Sequence, residues 1–262
     1  MWYGAQVWGY YESELVESVQ KMFIKKLFRL PINTPNYVLY LETKTEQLYF
    51  YTLKVNLNYI SKLYTYQQSR LPRALFNLIT IKNVYISKFW RSFGQKYGIN
   101  LDFNIEDSER IQSQLLKIEE LARSRWWADL EGRARTAPKH QQLLTLDFDL
   151  GDRSFLCNGY DINTISWAIK VRAELVDLNF KPWIVGANYI CSLCNLQENE
   201  SVYHFVARCP ILKCIRRRYL GVAVLEKESF QQYLNGKDWW ALGKYMREAW
   251  EYRWKIIKEF NY

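Results

Sequence analysis

The sequence predicts a mainly α-helical protein, a helical array followed by a small metal-stapled helical module. Three observations predict it. Apolar residues recur at three- and four-residue intervals along most of the chain, the spacing that puts them on one face of a helix. Proline, glycine, threonine and aspartate punctuate these runs where helices start and stop. Late in the chain, Cys191, Cys194, His204 and Cys209 have the residue types and spacing of a metal staple.

Taken in order, Leu15, Val19, Met22, Phe23, Leu27 and Leu30 form the apolar face of a helix over residues 12–30, which Pro31 ends. Thr34-Pro35 reads as a cap with proline in the first helical position, opening a short helix toward Leu41. Thr45 is placed to cap the next, carrying Leu48, Leu53, Leu57, Ile60 and Leu63. Helices over 71–81 and 84–97 follow, the second closed by Gly98. Ser108 is placed to cap a long helix through Ile111, Leu115, Ile118, Leu121, Ala122 and Leu130, with Gly132 as its end. Residues 132–159 hold Pro138, Gly151 and Gly159 and no sustained period. Asp161 then caps a helix bearing Ile165, Ala168, Ile169, Arg172, Leu175 and Val176. Pro210 opens a short helix that Gly221 closes, and a last helix over 238–260 aligns Leu242, Met246, Ala249, Trp250, Arg253, Ile257 and Phe260. The expected organisation is a helical thumb-like and linker region over 1–135, a connecting segment over 136–159, and a helical C-terminal domain over 160–262.

At 262 residues, 49% hydrophobic and 24% charged, the chain has a globular composition. Eleven tryptophans and twenty tyrosines suit two roles, packing between helices and stacking on nucleobases. The net charge of +9 is uneven. Lysine and arginine outnumber acids 13 to 5 over 1–100 and 12 to 6 over 201–262, whereas acids lead 10 to 7 over 101–150 and 6 to 4 over 151–200. Basic ends favour a phosphate-rich partner, RNA or DNA. No apolar run is long enough for a bilayer, so no membrane partner is expected. The first residues lack the pattern of a secretory signal, which predicts an intracellular protein of cytoplasm and nucleus. Five cysteines in such a protein point to metal or free thiols rather than disulfides.

Cys191 and Cys194, two residues apart, can turn both sulfurs to one ion, and His204 and Cys209 complete a tetrahedral set. Four protein ligands close the sphere, so the expected cofactor is one structural Zn2+ in a knuckle over 191–209. Cys157 and Cys214 fall outside the spacing and read as core thiols. Arg208, Lys213, Arg216, Arg217 and Arg218 follow without an intervening acid and form a candidate phosphate surface, against the plainer reading of a solvated helix face. A second candidate comprises Arg123 and Arg125 beside Trp126 and Trp127, then Arg133 and Arg135, diluted by Glu119, Glu120, Asp129 and Glu131. His140 reads as an exposed loop histidine. Asp147 and Asp149 beside Gly151 read as a polar turn. No paired catalytic aspartates, phosphate-binding glycine loop or nucleophile elbow is present in the sequence, so no catalytic residue is assigned.

Three stretches resemble the C-terminal part of the polyprotein of LINE-type, non-LTR retrotransposons. Tyr3-Gly4-Ala5-Gln6-Val7-Trp8-Gly9 is similar to the start of the thumb after the reverse-transcriptase palm. Phe28-Arg29-Leu30-Pro31, Thr34-Pro35 and Leu39-Tyr40-Leu41-Glu42 resemble the thumb helices. Cys191, Cys194, Glu200, His204-Phe205 and Cys209-Pro210 resemble the terminal cysteine-histidine motif. The resemblance implies a chain lacking the palm aspartates and the endonuclease, and therefore no enzyme by itself. A longer parent protein would be an RNA-directed DNA polymerase, and its upstream polymerase region a partner. The implied role is non-catalytic nucleic-acid binding during target-primed reverse transcription. The alternative is a structural or protein-interaction scaffold stapled by zinc, with no direct nucleic-acid role.

Overall fold

The computed structural model describes residues 3–101, 103, 108–157 and 159–260. The side chains of Ser108 and Phe260 lie outside the described residues, and with them the expected cap and the last member of the terminal stripe. The fold is mainly α-helical. Its helices are α1 (Ala5–Trp8), α2 (Glu14–Leu27), α3 (Asn36–Thr43), α4 (Leu48–Tyr64), α5 (Leu71–Ile81), α6 (Tyr85–Lys96), α7 (Ser108–Arg135), α8 (Ile162–Arg172), α9 (Lys213–Leu220), α10 (Lys227–Leu234) and α11 (Trp239–Phe260). Among the described residues the extended pairing is a single antiparallel bridge, Ile190 with Asn199. No helix of the described residues is long and apolar enough to cross a membrane.

The chain divides into two compact units, Met1–Gln20 with Glu46–Leu130, and Lys21–Thr45 with Glu131–Tyr262. In the first, Leu53, Leu57 and Ile60 of α4 pack with Phe76 of α5, Trp90 of α6 and Ile111, Leu115 and Ile118 of α7. The α1 end presses on α4 so closely that a Cβ on Gly9 would lie 2.1 Å from the Thr52 carbonyl oxygen, which only glycine permits.

Helix α2 overturns the expectation for its apolar stripe. Leu15 is 81% exposed and Phe23 62%, with Val19, Met22 and Leu27 also exposed, while Glu17 and Ile24 are buried. Glu17 explains the orientation, because its carboxylate accepts from the amides of Tyr49 (2.8 Å) and Leu48 (3.3 Å). It thus caps α4 from a distance, satisfying donors that a helix start leaves open. Thr45, the expected cap, instead shares a hydroxyl contact of 2.8 Å with Thr43. Likewise Thr34 donates to the Pro31 carbonyl (2.7 Å), and α3 begins after Pro35. Gly132 does not end α7, which continues to Arg135.

In the second unit α11 packs on α8 and α9. Asp161 caps α8 as expected, its Oδ1 accepting from the amides of Asn163 (2.9 Å) and Thr164 (3.2 Å). Gly243 of α11 meets α8 at Thr164, where a Cβ on the glycine would lie 3.0 Å from the threonine methyl group, so backbone touches side chain there. Residues 21–45 group here through the buried Arg172–Glu42 pair (2.7 Å). The Arg172 guanidinium also donates to the carbonyls of Asp147 (2.8 Å) and Leu234. The segment after α7 is well packed despite its lack of period: Leu143, Leu146, Phe148, Leu150 and Phe155 are buried. Within it Asp147 forms a polar turn, accepting from the Asp149 amide (2.9 Å) and pairing with Arg153 (3.0 Å).

Candidate metal centre

Two local structures bring the four ligands together. The first is a minimal hairpin over 189–200, held by Cys191 N–H to Glu198 O (2.9 Å) and Glu200 N–H to Tyr189 O (2.7 Å), with the Cys191–Cys194 turn at its tip. The second is one π-helical turn, His204–Arg208, closed by the Cys209 amide donating to the His204 carbonyl (2.7 Å). This five-residue bond brings His204 and Cys209 within reach of one centre, and π turns recur at functional sites for such reasons.

The ligand atoms of Cys191, Cys194, His204 and Cys209 all lie within 4.8 Å of one another, and all four residues are buried. Cys194 Sγ stands 3.5 Å from His204 Nε2. Tetrahedral bonds of about 2.3 Å to sulfur and 2.0–2.1 Å to nitrogen place such a pair roughly 3.5 Å apart. The donor set and its spacing therefore fit a metal ion in a closed four-ligand sphere. Backbone amides support the sulfurs: Leu193 N–H points at Cys191 Sγ (3.4 Å), Leu196 N–H at Cys194, and those of Ile211 and Leu212 at Cys209. Such donors stabilise thiolates. A hydrogen bond from Cys191 pulls the Cys209 thiol down, and the same contact, with burial, pushes Cys191 up to about 12. Crowded thiols that compete for one proton are relieved by a cation.

Outside the ligands, His204 Nδ1 lies 2.8 Å from Glu198 Oε2. We place the proton on Nδ1, donating to the carboxylate and leaving Nε2 to face the cluster, the arrangement that fixes the tautomer of a metal-bound histidine. Glu200 and Arg253 form a buried pair behind the hairpin, with Arg253 Nη2 donating to Oε2 at 2.7 Å and Nε to Oε1 at 3.0 Å. Oε2 also accepts from the Asn179 amide (2.9 Å). Neither supporting carboxylate is marked by the ligand spacing. Glu198, six residues before His204, carries a weak signal only once the histidine is known to be a ligand.

The arginine cluster after the site divides in two. Arg208, Lys213, Arg217 and Arg218 are exposed, Arg218 also pairing with Glu248 (2.5 Å). Arg216 is 0% exposed and is not a phosphate contact. Its guanidinium donates to the carbonyls of Val206 (2.7 Å), Cys209 (2.9 Å) and Ala223 (2.5 Å), so its donors are spent on the backbone around the site. In the second basic stretch, Arg123 bonds Glu119 (3.0 Å) and Glu46, and Arg125 donates to the Lys96 carbonyl (2.7 Å). Arg135 donates to the Leu144 carbonyl (3.0 Å), and Arg133 is exposed. Trp126 and Trp127 pack against each other at 4.9 Å, with Trp126 also on Phe50.

Two further expectations are corrected. Cys157 and Cys214, expected in the core, are exposed. His140, expected exposed, is buried at 6% exposure.

No family model, curated protein or solved structure matches this chain. The site is therefore read from its own chemistry.

Proposed function

We propose that the chain is a non-catalytic nucleic-acid-binding module in which a structural zinc ion, held by Cys191, Cys194, His204 and Cys209, shapes a phosphate-binding surface. The observation that carries this reading is a closed set of three sulfurs and one nitrogen with exposed Arg208, Lys213 and Arg217 close to Cys209 in the chain. Three thiolates and one imidazole gathered within 4.8 Å of one another suit zinc, and a filled sphere leaves no position for an activated water. Guanidinium groups fixed beside such a staple suit phosphate oxygens. Together with the sequence resemblance, this supports the C-terminal region of a non-LTR retrotransposon reverse transcriptase. Its part there would be to hold RNA or target DNA for the polymerase region upstream in target-primed reverse transcription.

The test is binding of labelled single-stranded RNA and duplex DNA across a salt series. Contacts of this kind predict an affinity that falls linearly on logarithmic axes, with a slope of about 0.7–0.9 per phosphate engaged. A flat salt response, or unchanged affinity after replacing Arg208, Arg217 and Arg218 together by alanine, rejects the reading.

A second reading, a protein-interaction scaffold, is favoured by one specific feature. Leu15, Val19, Met22, Phe23 and Leu27 on α2 are exposed, as are Leu71, Leu75, Leu78 and Ile81 on α5. Contiguous apolar faces of this kind mark protein contacts. Association through these faces with no nucleic-acid affinity decides for the scaffold.

A further inference from the structure

Residues 47–101 hold eight lysines and arginines and none of the chain's 27 acids. That stretch lies wholly in the first unit, and α5 runs through its middle. One face of α5 packs inward through Arg73, Phe76 and Thr80, all buried. The opposite face is apolar and open. Leu71 is 69% exposed and Ile81 74%, with Leu75 and Leu78 between them also exposed. These positions recur at three and four residues, the spacing of a seam between two helices. A helix face that meets only water is polar, so an open stripe of this kind marks a contact.

Cations stand at both ends of the stripe. Arg70 precedes α5 and Lys82 follows it, and both side chains are exposed. The Arg70 guanidinium lies over the Tyr66 ring, 3.9 Å from its centroid, a contact that leaves its charge in place. Arg91 of α6 comes to the same end as Lys82, donating to Asn83 Oδ1 (2.8 Å) and to the Thr80 carbonyl (3.3 Å), both uncharged acceptors. Among the described residues, none of these three cations is in an ion pair. At 1.5 Å per residue, Arg70 and Lys82 are about 18 Å apart along the axis. An apolar stripe of three turns is thus bracketed by uncompensated positive charge.

We propose that this face of α5 docks an acidic amphipathic helix of a partner protein, whose apolar stripe lies along Leu71, Leu75, Leu78 and Ile81 and whose carboxylates face Arg70 and Lys82. Charge decides the occupant. A second copy paired through α5 sets Arg70 against Lys82 if antiparallel, and each against its own counterpart if parallel, so like charges meet either way. A nucleic-acid backbone meets the cations but leaves the leucines in water. An anionic bilayer rewards cations all along a helix flank, whereas between Arg70 and Lys82 the one cation of α5 is Arg73, which is buried. An acidic helix satisfies the stripe and both ends at once. The inference holds whether or not the chain also binds nucleic acid, and RNA binding measured on the same samples keeps the two questions apart.

The probe is a labelled helical peptide of about eighteen residues, with leucines in one stripe and glutamates at both ends, long enough to cover α5. One companion carries lysine in place of glutamate, and another serine in place of leucine. Fluorescence anisotropy on the full zinc-loaded chain should show saturable binding of the first peptide, about tenfold weaker for either companion. Leu71→Ser combined with Ile81→Ser should weaken it about tenfold. Both side chains are exposed, so this variant should keep the parent circular dichroism spectrum. Lys82→Glu should weaken the glutamate peptide and strengthen the lysine one, a reversal that misfolding does not produce. Single-stranded RNA affinity should be unmoved by the leucine and isoleucine changes. Equal binding of the glutamate and lysine peptides, or undiminished binding in the double variant, overturns the proposal. So does any result that gives the face to another occupant: phosphatidylserine vesicles bound in place of the peptide, a dimer that the double variant dissolves in sedimentation velocity, or RNA affinity lost in that variant.

Discussion

Arg253 of the last helix closes a bidentate pair on Glu200, 2.7 and 3.0 Å away, directly behind the hairpin that carries Cys191 and Cys194. A charged side chain at an apolar-stripe position thereby ties α11 to the metal site. Breaking one partner leaves the other buried and uncompensated, which costs about 3–5 kcal/mol. Arg253→Met should therefore lower the urea midpoint sharply, whereas Arg247→Met, at an exposed position of the same helix, should shift the unfolding free energy by no more than about 0.5 kcal/mol.

Removing the metal should be more damaging still. Apparent binding energies of structural zinc in small modules are about 10–16 kcal/mol at neutral pH, and that energy is folding energy. One zinc per chain is expected by elemental analysis, falling toward zero in Cys209→Ser. Chelation should melt the hairpin and the π turn while α4 to α6 of the first unit keep their amide protection from hydrogen exchange. Full zinc content in Cys209→Ser contradicts the assigned ligand set.

Arg216 and Arg217 are adjacent but have opposite expected roles. Arg216→Met strands the carbonyls of Val206, Cys209 and Ala223, the first two buried, and should destabilise by roughly 2–4 kcal/mol with little change in the salt slope of nucleic-acid binding. Arg217→Ala should be neutral for stability and reduce the salt slope by about one phosphate equivalent. Thermal melts and salt-dependent anisotropy, measured on both variants, separate the two roles.

On α2 and α4 the same kind of contrast tests the inverted stripe. Phe23→Ser, at an exposed position, should cost no more than about 0.5 kcal/mol. Leu57→Ala in the first core should cost about 2–5 kcal/mol. A large cost for Phe23→Ser in a dilute monomer would mean that α2 is turned the other way.

His140 predicts a pH dependence. Burial lowers its folded pKa below the ordinary 6.5, opposed by its bond to the Ala173 backbone. Between the lowered value and 6.5 the unfolded chain binds more protons than the folded one, so stability rises with pH across that window and falls as pH drops through it. Glu174 nearby is raised by burial and acts in the opposite direction above 4.5, while Lys139 contributes a positive charge beside the ring. Replacing His140 by glutamine should flatten the rise of the unfolding free energy with pH just below 6.5, read from urea midpoints.

The sequence by itself determined most of the helices, though not α1 or α10, and the ligand set. Leu71–Ile81 matches its predicted span, Asp161 caps where its side chain is placed to do so, and Cys191, Cys194, His204 and Cys209 converge. These features are local: a helix follows from near-neighbour spacing, and a metal site from residue types few enough to have one grouping. Tertiary structure alone decided which way the helices face and what the arginines do. Glu17 is buried because the amides of Tyr49 and Leu48 need an acceptor, and this turns the apolar residues of α2 outward. Arg216 disappears from the basic surface because carbonyls of Val206, Cys209 and Ala223 surround it. Both outcomes depend on partners 7 to 32 residues away in sequence. Periodicity records how apolar a face is, but the unmet hydrogen bonds of distant backbone decide which face is buried.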